Sequence, residues 1–283
     1  MILSEVIKFG FFYGSFIGLV SLGFAVIYSI LHVVDFSHTD RMVACGYIFV
    51  TVLDYTNHLV AILITIFFGV VLAMLSELLL YRRIRKINPN LLLLSTFGLS
   101  IIVQNVMALL FTDNLLEYPF VENTVSSSGL YPRELMIFPV LLMCTFFLYY
   151  WLKKTKSGIS IRAMISNKER AIAAGIPINK LYLLVFGLSG LMAAFGGIYL
   201  SIGYGLKPYS GFRIMILAFS ACLIAGMNNV YGSVLVGIVI GILISMFEFY
   251  FNALSAEMIT LLILIVVLFI RPHGIFGQKL RLV

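Results

Sequence analysis

Polar side chains are scarce in the apolar stretches of this sequence, and the few that occur there are its first candidates for chemistry. Glu248, Gln104 and Asn105 each interrupt a long apolar run. A carboxylate at the centre of a bilayer costs about 3 kcal/mol, so Glu248 should face protein or water. It could line a transport pathway, or be a hydrogen-bonded structural residue near the outer end of its span. The two amides pose the same choice between lining a pore and bonding between helices.

A second polar group follows the first apolar run and comprises Tyr28, Asp35, Ser37 and His38. Histidine can titrate near neutral pH, and Asp and Ser commonly cap helices. Two interpretations stay open: these residues form the inner mouth of a pathway, or they form an ordinary turn in which Asp35 and Ser37 are caps.

Sequence motifs for enzymatic chemistry are absent. There is no Gly-x-x-x-x-Gly-Lys-Ser/Thr phosphate loop, no Gly-x-Ser-x-Gly and no cysteine pair at metal-ligand spacing. The three cysteines lie in apolar runs, and the four histidines are scattered. The sequence therefore predicts a protein that is not an enzyme and that carries no metal and no cofactor of its own.

The elements that must position these residues are membrane-spanning helices. The chain is 61% hydrophobic and only 11% charged, and its uncharged stretches approach the roughly 20 residues that cross a bilayer. The predicted spans are 9–31, 42–53, 59–80, 91–111, 135–152, 181–202, 214–227, 231–251 and 258–270. The second and seventh are short, which is typical of re-entrant or broken segments. We expect an all-α polytopic membrane protein with eight or nine such helices and one domain over residues 1–283.

Basic residues are distributed unequally along these spans. With nine crossings, all of the 19 lysines and arginines except Lys8, Arg133, Lys207 and Arg213 fall on one face. Basic loops face the cytoplasm, so we expect an outer N-terminus and a cytoplasmic C-terminus. Because the charge lies in short loops beside apolar segments, the net charge of +7 indicates topology and lipid contact, not nucleic-acid binding.

Glycines recur at four-residue spacing in two predicted spans. Gly10, Gly14 and Gly18 share one helix face, and Gly237 and Gly241 share another. Such faces let two helix backbones approach closely, which predicts helix packing. A direct role in transport is the alternative.

A different pattern marks residues 156–180, on the basic side between the fifth and sixth predicted spans. Small and apolar residues recur there near helical spacing beside Arg162, Lys168, Glu169 and Arg170, and Gly175 and Pro177 supply a stop. This pattern predicts a short amphipathic helix docked on lipid or on a partner. A solvated loop facing anionic lipid fits the pattern equally well.

Motifs along the whole chain resemble one family, the membrane permeases of branched-chain amino acid ABC importers (LivH type). They are Gly14-Ser15 through Leu31 with Val34 to His38, the stretch Ser95 to Asn105, Arg162-Ala163 through Gly175, Ala225-Gly226 to Ser233 with Glu248, and Leu268 to Gly277. Asp35, Ser37 and Thr39 stand where the family usually shows Asn, Ala and Gly, which indicates a divergent subgroup and leaves the substrate open.

That resemblance implies a half-channel with several partners. A second homologous permease subunit would complete the pore, two cytoplasmic subunits would bind and hydrolyse ATP, and a periplasmic or extracellular binding protein would deliver branched-chain or other small hydrophobic amino acids. The chain would lie in the bacterial cytoplasmic (inner) membrane, and residues 156–180 would hold the coupling helix. The implied coupling residues are Arg162, Ala163, Glu169, Arg170, Ala171, Ala174 and Gly175. A rival function is an ion-coupled secondary transporter that works without an ATPase, and a third is a non-transporting scaffold.

Overall fold

A computed structural model describes residues 2–88, 91–112, 116, 132–227, 229–251 and 256–276 of the chain. Its long elements are helices, and an isolated antiparallel bridge joins Leu116 to Leu206. The helices are α1 Ile2–Leu31, α2 Ser37–Leu53, α3 His58–Ser76, α4 Arg82–Ile87, α5 Leu91–Phe111, α6 Pro132–Lys154, α7 Lys156–Ser166, α8 Lys168–Ala173, α9 Ile178–Gly203, α10 Ser210–Ala225, α11 Val230–Phe251 and α12 Ala256–Ile270. A π-helical turn, Glu77–Tyr81, joins α3 to α4 without a break.

Every predicted span corresponds to a helix, and the all-α polytopic fold is confirmed. Six helices of the described chain are long and apolar enough to cross a membrane, namely Leu3–Leu31, His58–Ile87, Leu91–Phe111, Met136–Lys154, Ile178–Gly203 and Val230–Phe251. The shorter helices α2, α10 and α12 have 17, 16 and 15 residues. Backbone at membrane depth needs protein around it where a helix stops short, and α2 and α10 are largely buried.

The predicted start of the second span at residue 42 was wrong. The helix α2 begins at Ser37, because the five polar residues 37–41 are buried against other helices and are not in a surface loop. A prediction from hydropathy alone excludes such polar residues from a membrane span. Within the folded protein, hydrogen bonds and an ion pair offset the cost of burying them.

The helix α1 is the centre of the bundle. In its most apolar 18-residue stretch, 89% of the residues are buried inside the protein, against 22 to 28% in the corresponding stretches of α3, α5 and α6. The side chains of those three helices therefore form the outer surface of the bundle. Its main neighbour is α11, which runs antiparallel, since Gly10 meets Ser245 and Gly18 meets Val234. The central core thus forms between α1, α9, α10 and α11.

The two ends of the bundle differ in charge. Residues 82–86, 153–180 and 271 lie at one end, called here the basic end, where α1, α6 and α12 finish. The N-terminus of α1, the C-terminus of α9 and the start of α10 lie at the opposite end. After α12 the chain turns at Gly274 (φ +80°) and its Ile275 and Phe276 amides donate to the last carbonyls of α10 at 2.8 and 2.9 Å. This return closes the C-terminus of α10 with backbone hydrogen bonds.

Candidate functional site: a buried polar cluster and a charged cavity

Polar residues converge where α2 begins inside the bundle. After α1 the chain reverses at His32, which has φ +55°, and re-enters the protein through residues 33–36. Asp35 and all of residues 37–41 are buried. We call this set, with its partners on other helices, the α2 cluster. The partners are Tyr81 from the π-helical turn, Ser100 and Gln104 from α5, and Ser189 from α9.

Asp35 is the centre of the first half of the α2 cluster. Its carboxylate lies 2.5 Å from the Arg41 guanidinium, and both side chains are 1% exposed. It also accepts hydrogen bonds from the Ser37 amide at 3.1 Å, the Ser37 hydroxyl at 2.7 Å and the Tyr81 hydroxyl at 3.0 Å. Since these donors come from α2 and from the π-helical turn, the carboxylate joins the start of α2 to the turn between α3 and α4.

Asp40 forms the second half of the α2 cluster, on the side facing α5. Its carboxyl oxygens contact the Ser100 hydroxyl at 2.5 Å and the Gln104 amide nitrogen at 3.0 Å. Ser100 is at the middle of α5, so this contact lies deep in the membrane. Polar groups at that depth are costly and are usually satisfied within the protein, which explains the two bonds between helices.

His38 links the α2 cluster to α9 and α1. Its Nδ1 lies 2.9 Å from the Ser189 hydroxyl, and its ring packs on Gly23, where a Cβ would come within 2.7 Å of Nε2. Within the described structure, His38 Nε2 and the Nε and Nη1 of Arg41 have no hydrogen-bond partner. The α2 cluster is therefore only partly satisfied in this state, unlike most buried polar groups.

The α2 cluster contains some of the predicted pathway residues but not all of them. Asp35, Ser37, His38 and Gln104 are in it. Asn105 is on the exposed side of α5 and donates to Ile101 of its own helix at 2.8 Å, so it makes no bond to another helix there. Tyr28 stacks on His32 near the end of α1, with ring centroids 6.2 Å apart.

Sequence reasoning missed six members of the α2 cluster, namely Thr39, Asp40, Arg41, Tyr81, Ser100 and Ser189. Arg41 had been assigned to topology alone. The available signal was the run Ser-His-Thr-Asp-Arg directly before an apolar stretch, with charges of both signs one residue apart. Tyr81 and Ser189 give no such signal, because only the tertiary fold brings them to α2.

A cavity of about 460 Å³ opens at the opposite end of the bundle. It lies between the start of α1, the end of α9, the start of α10 and the last turns of α11, and it contains the remaining predicted pathway residue, Glu248. Its lining residues are Phe9, Tyr13, Phe16, Leu200, Tyr204, Gly205, Lys207, Ser210, Arg213, Ile214, Ser245 and Glu248. Glu248 is exposed to this space and is not deep within the span. Arg213 also forms an ion pair with Glu257 of α12.

The glycine ladders lie on the contact between α1 and α11. A Cβ at Gly10 would fall 2.7 Å from the Ile242 Cα, and one at Gly237 would fall 2.7 Å from the Gly18 backbone. Gly14 and Gly241 meet even more closely. At this approach neither backbone leaves room for a side chain, so the five glycines set the distance between the two helices.

The predicted coupling segment is two helices at the basic end, α7 and α8, instead of one. Asn167 divides them, since its extended backbone ends α7 and its side chain accepts the Arg170 amide at 2.9 Å to cap α8. Ile161, Met164 and Ala171 are buried, and Ala163 is partly buried. The outward residues are Arg162, Glu169, Arg170, Ala174 and Gly175, the last with φ +76°.

A buried ion pair supports the basic end beside this segment. Glu77 pairs with Arg85, and the Arg85 guanidinium stacks 3.5 Å from the Tyr182 ring centroid of α9. Lys168 of α8 lies 5.9 Å from the same ring. Tyr182 thus contacts both α4 and α8, so the helical segment α7–α8 rests on the first turns of α9.

These features define a multi-pass α-helical membrane protein with polar groups concentrated at one helix break and one cavity. Residues 6–270 match the family model described as the permease component of branched-chain amino acid transport systems. The chain therefore belongs to that family, and the resemblance drawn from its motifs is confirmed.

Individual relatives agree with this assignment. The permease LivH of Salmonella typhimurium, described as part of a high-affinity branched-chain amino acid transport system, is 24% identical over 94% of this chain and 92% of its own length. BraD of Pseudomonas aeruginosa, described in the same terms, is 25% identical over the same shares. A solved structure, PsaBC from Streptococcus pneumoniae in complex with Fab, has a TM-score of 0.50 and 16% identity over 95% of this chain and 92% of that one. It shows the likeness of fold.

Proposed function

We propose that this chain is the membrane-spanning permease subunit of an ATP-driven importer for branched-chain or other small hydrophobic amino acids. The observation that carries the proposal is the family match over residues 6–270, which includes nearly all the described helices. The chain would provide half of the translocation pathway, a second homologous permease would provide the other half, and an external binding protein would deliver the solute.

The power for transport would come from two cytoplasmic ATP-binding subunits. The helices α7 and α8 support this proposal, because they combine a buried apolar face with an exposed row of charges at the basic end. Such a compact unit suits a groove on a partner, and the charged row adds electrostatic complementarity. Since α7 follows α6 directly and α8 leads into α9, a displacement of this unit would be transmitted to two long helices.

Orientation follows from the same charges. The basic end holds residues 82–86, 153–180 and 271, and positive loops remain in the cytoplasm. The basic end would then be cytoplasmic and the opposite end, with its cavity, would face outward. The N-terminus would lie outside and the C-terminus inside, in the cytoplasmic membrane.

We assign the predicted pathway residues to two regions of the structure, the α2 cluster and the cavity at the opposite end of the bundle. Asp35, Ser37, His38 and Gln104 bond to neighbouring helices, so we assign them to holding α2 at its break. Tyr28, on the neighbouring part of α1, is assigned to the same inner region. Glu248 faces an open cavity and is assigned to the pathway itself. Asn105, exposed on α5, is left as a surface residue.

Transport in proteoliposomes tests the proposal. The chain is purified together with its candidate permease and ATP-binding partner subunits, reconstituted, and supplied with the candidate binding protein and radiolabelled leucine. For complexes whose ATP-binding subunits face the liposome interior, uptake of leucine from outside should require ATP inside the liposomes. Uptake driven by an ion gradient without ATPase subunits would instead identify a secondary transporter, for which the buried Asp40 and Arg41 would then be the relevant groups.

The coupling role has a matched control. Glu169→Ala/Arg170→Ala removes one acid and one base from α8, and Glu5→Ala/Lys8→Ala removes the same charges from exposed positions at the other end. The first pair should reduce ATP-driven uptake at least about tenfold, or release the ATPase subunits on purification, because the docking charges are lost. The second pair should do neither. Equal behaviour of the two variants would contradict docking through α8.

A further inference from the structure

The outer cavity brings together charges of both signs in a chain that has few of them. Glu248 enters from α11, Arg213 from α10, and Lys207 from the loop between α9 and α10. Within the described residues no basic side chain lies within ion-pair distance of Glu248, and no acidic one within that distance of Lys207. Arg213 is held by Glu257 of α12. Among the described residues the cavity thus offers one acidic and one basic group outside ion-pair distance of an opposite charge, and a second base, Arg213, that is paired with Glu257.

Four aromatic residues, Phe9, Tyr13, Phe16 and Tyr204, form another part of the wall. The ring of Tyr13 lies 5.6 Å from that of Tyr204, and Phe16 lies 6.3 Å from Tyr204. Phe16 also packs at 5.3 Å on Tyr199, so this wall is fixed by contacts between α1 and α9. Edge-to-face and tilted rings of this kind present a rigid apolar surface to a ligand.

The volume of the cavity and the residues that line it together restrict the class of ligand that it can bind. A volume of about 460 Å³ lies within the range of about 300–1,000 Å³ that is typical of small-molecule sites. An anion or a cation alone would leave one charged group of the cavity unmatched, and a neutral sugar could stack on the aromatic rings but would give neither charge an opposite charge. A zwitterion with an apolar side chain matches all three features.

We propose that this cavity binds a free α-amino acid with an apolar side chain. Lys207 and Arg213 would receive the carboxylate, Glu248 the ammonium group, and the Tyr13–Phe16–Tyr204 wall the side chain. The proposal deepens the proposed function, on which it rests: the permease itself selects a zwitterion at its outer mouth, after the binding protein has released it.

A single cysteine beside the cavity makes binding measurable without the binding protein. Ser210 lines the cavity, while the native Cys45, Cys144 and Cys222 are buried and should react slowly. The purified complex carrying Ser210→Cys is labelled with a membrane-impermeant methanethiosulfonate, with and without millimolar leucine. Thr56→Cys, at an exposed position outside the cavity lining, is the control.

Leucine should slow labelling of Ser210→Cys about tenfold at ten times its half-saturating concentration, since only the unoccupied cavity reacts. Labelling of Thr56→Cys should not change. Leucine amide, which lacks the carboxylate, and 4-methylpentanoate, which lacks the ammonium group, should protect at least about tenfold less well. Adding Glu248→Gln or Lys207→Gln to Ser210→Cys should raise the half-saturating concentration of leucine by a similar factor.

Uptake measured on the same preparation separates the two proposals. ATP-driven uptake without protection of Ser210→Cys would overturn the cavity assignment and leave the importer intact. Protection by leucine without ATP-driven uptake would keep the cavity site and overturn the importer. Equal protection by leucine and by both analogues would also overturn the zwitterion assignment, because the cavity would then recognise only the aliphatic group.

Discussion

Removing the Asp35 carboxylate charge should strongly destabilise the protein. The change Asp35→Asn keeps the size of the side chain and one oxygen for Ser37 or Tyr81, but it leaves the Arg41 guanidinium, 1% exposed, without its ion-pair partner at 2.5 Å. Losing one partner of a buried ion pair costs about 3–5 kcal/mol. Because Arg41 Nε and Nη1 already lack hydrogen bonds to the described chain, nothing nearby compensates, so we expect a loss of about 3 kcal/mol or more in the free energy of unfolding.

The companion change Arg41→Met separates the ion pair from the rest of the α2 cluster. Methionine keeps the unbranched stem beside Phe186, whose ring lies 5.6 Å from the guanidinium. Alone it leaves the Asp35 carboxylate buried and unpaired. The double variant Asp35→Asn/Arg41→Met removes both charges, so it should be more stable than the sum of the single losses predicts, by at least about 1 kcal/mol.

The assay is unfolding in mixed micelles of increasing SDS content, followed by helical circular dichroism. Glu5→Gln and Lys8→Met, at exposed positions, are the controls and should lie within about 0.5 kcal/mol of the parent protein. Single losses that add within about 0.5 kcal/mol would refute the reasoning, since independent sites add and the two side chains would then not be energetically coupled.

Two further predictions concern glycines. Gly14→Leu should prevent α1 from packing on α11 and abolish recovery of folded protein, as a Cβ there would lie 2.7 Å from the Ile238 Cα; Gly98→Leu, with no atom within 4 Å of its Cβ, is the control and should be recovered normally on size-exclusion chromatography. Gly175→Val should cost about 1–2 kcal/mol locally, because φ is +76°, and should reduce ATP-driven uptake, whereas Gly175→Asn should retain most of it since Asn tolerates that conformation. Equal recovery of both leucine variants, or equal uptake by both variants at Gly175, would contradict these expectations.

The apolar helices were predictable because hydropathy is a local property. The predicted segment 91–111 and the helix Leu91–Phe111 coincide, since this stretch is predominantly apolar and carries no charged residue. The packing role of the glycines was also predictable from their spacing, because residues four apart share one helix face whatever the fold. The partner of that face, α11, could not be assigned from spacing alone.

The α2 cluster was not predictable in the same way. Arg41 looked like a topology signal, since a lone arginine before an apolar run is common at a membrane surface. Its true partner, Asp35, is only six residues away, but the reversal at His32 is what brings both inside the bundle. Asp40 similarly depends on Ser100, sixty residues further along the chain. Pairings over such distances are properties of the tertiary fold.

The α2 cluster and the outer cavity share one element, the first turn of α10. Gly211 packs directly on Asp40, with a Cβ position 3.2 Å from the Asp40 Cα and closer still to its carboxylate. Arg213, two residues later, lines the cavity. Since a Cβ at Gly211 would already overlap the Asp40 carboxylate, a shift of α2 along this contact would displace the start of α10 and with it the Arg213 guanidinium that lines the cavity. On α2 itself, His38 Nε2 and the Nε and Nη1 of Arg41 have no hydrogen-bond partner within the described structure, so a shift of α2 would break no bond of these three atoms. These contacts connect the basic end, through α9 and α2, with the charged residues of the cavity at the opposite end of the bundle.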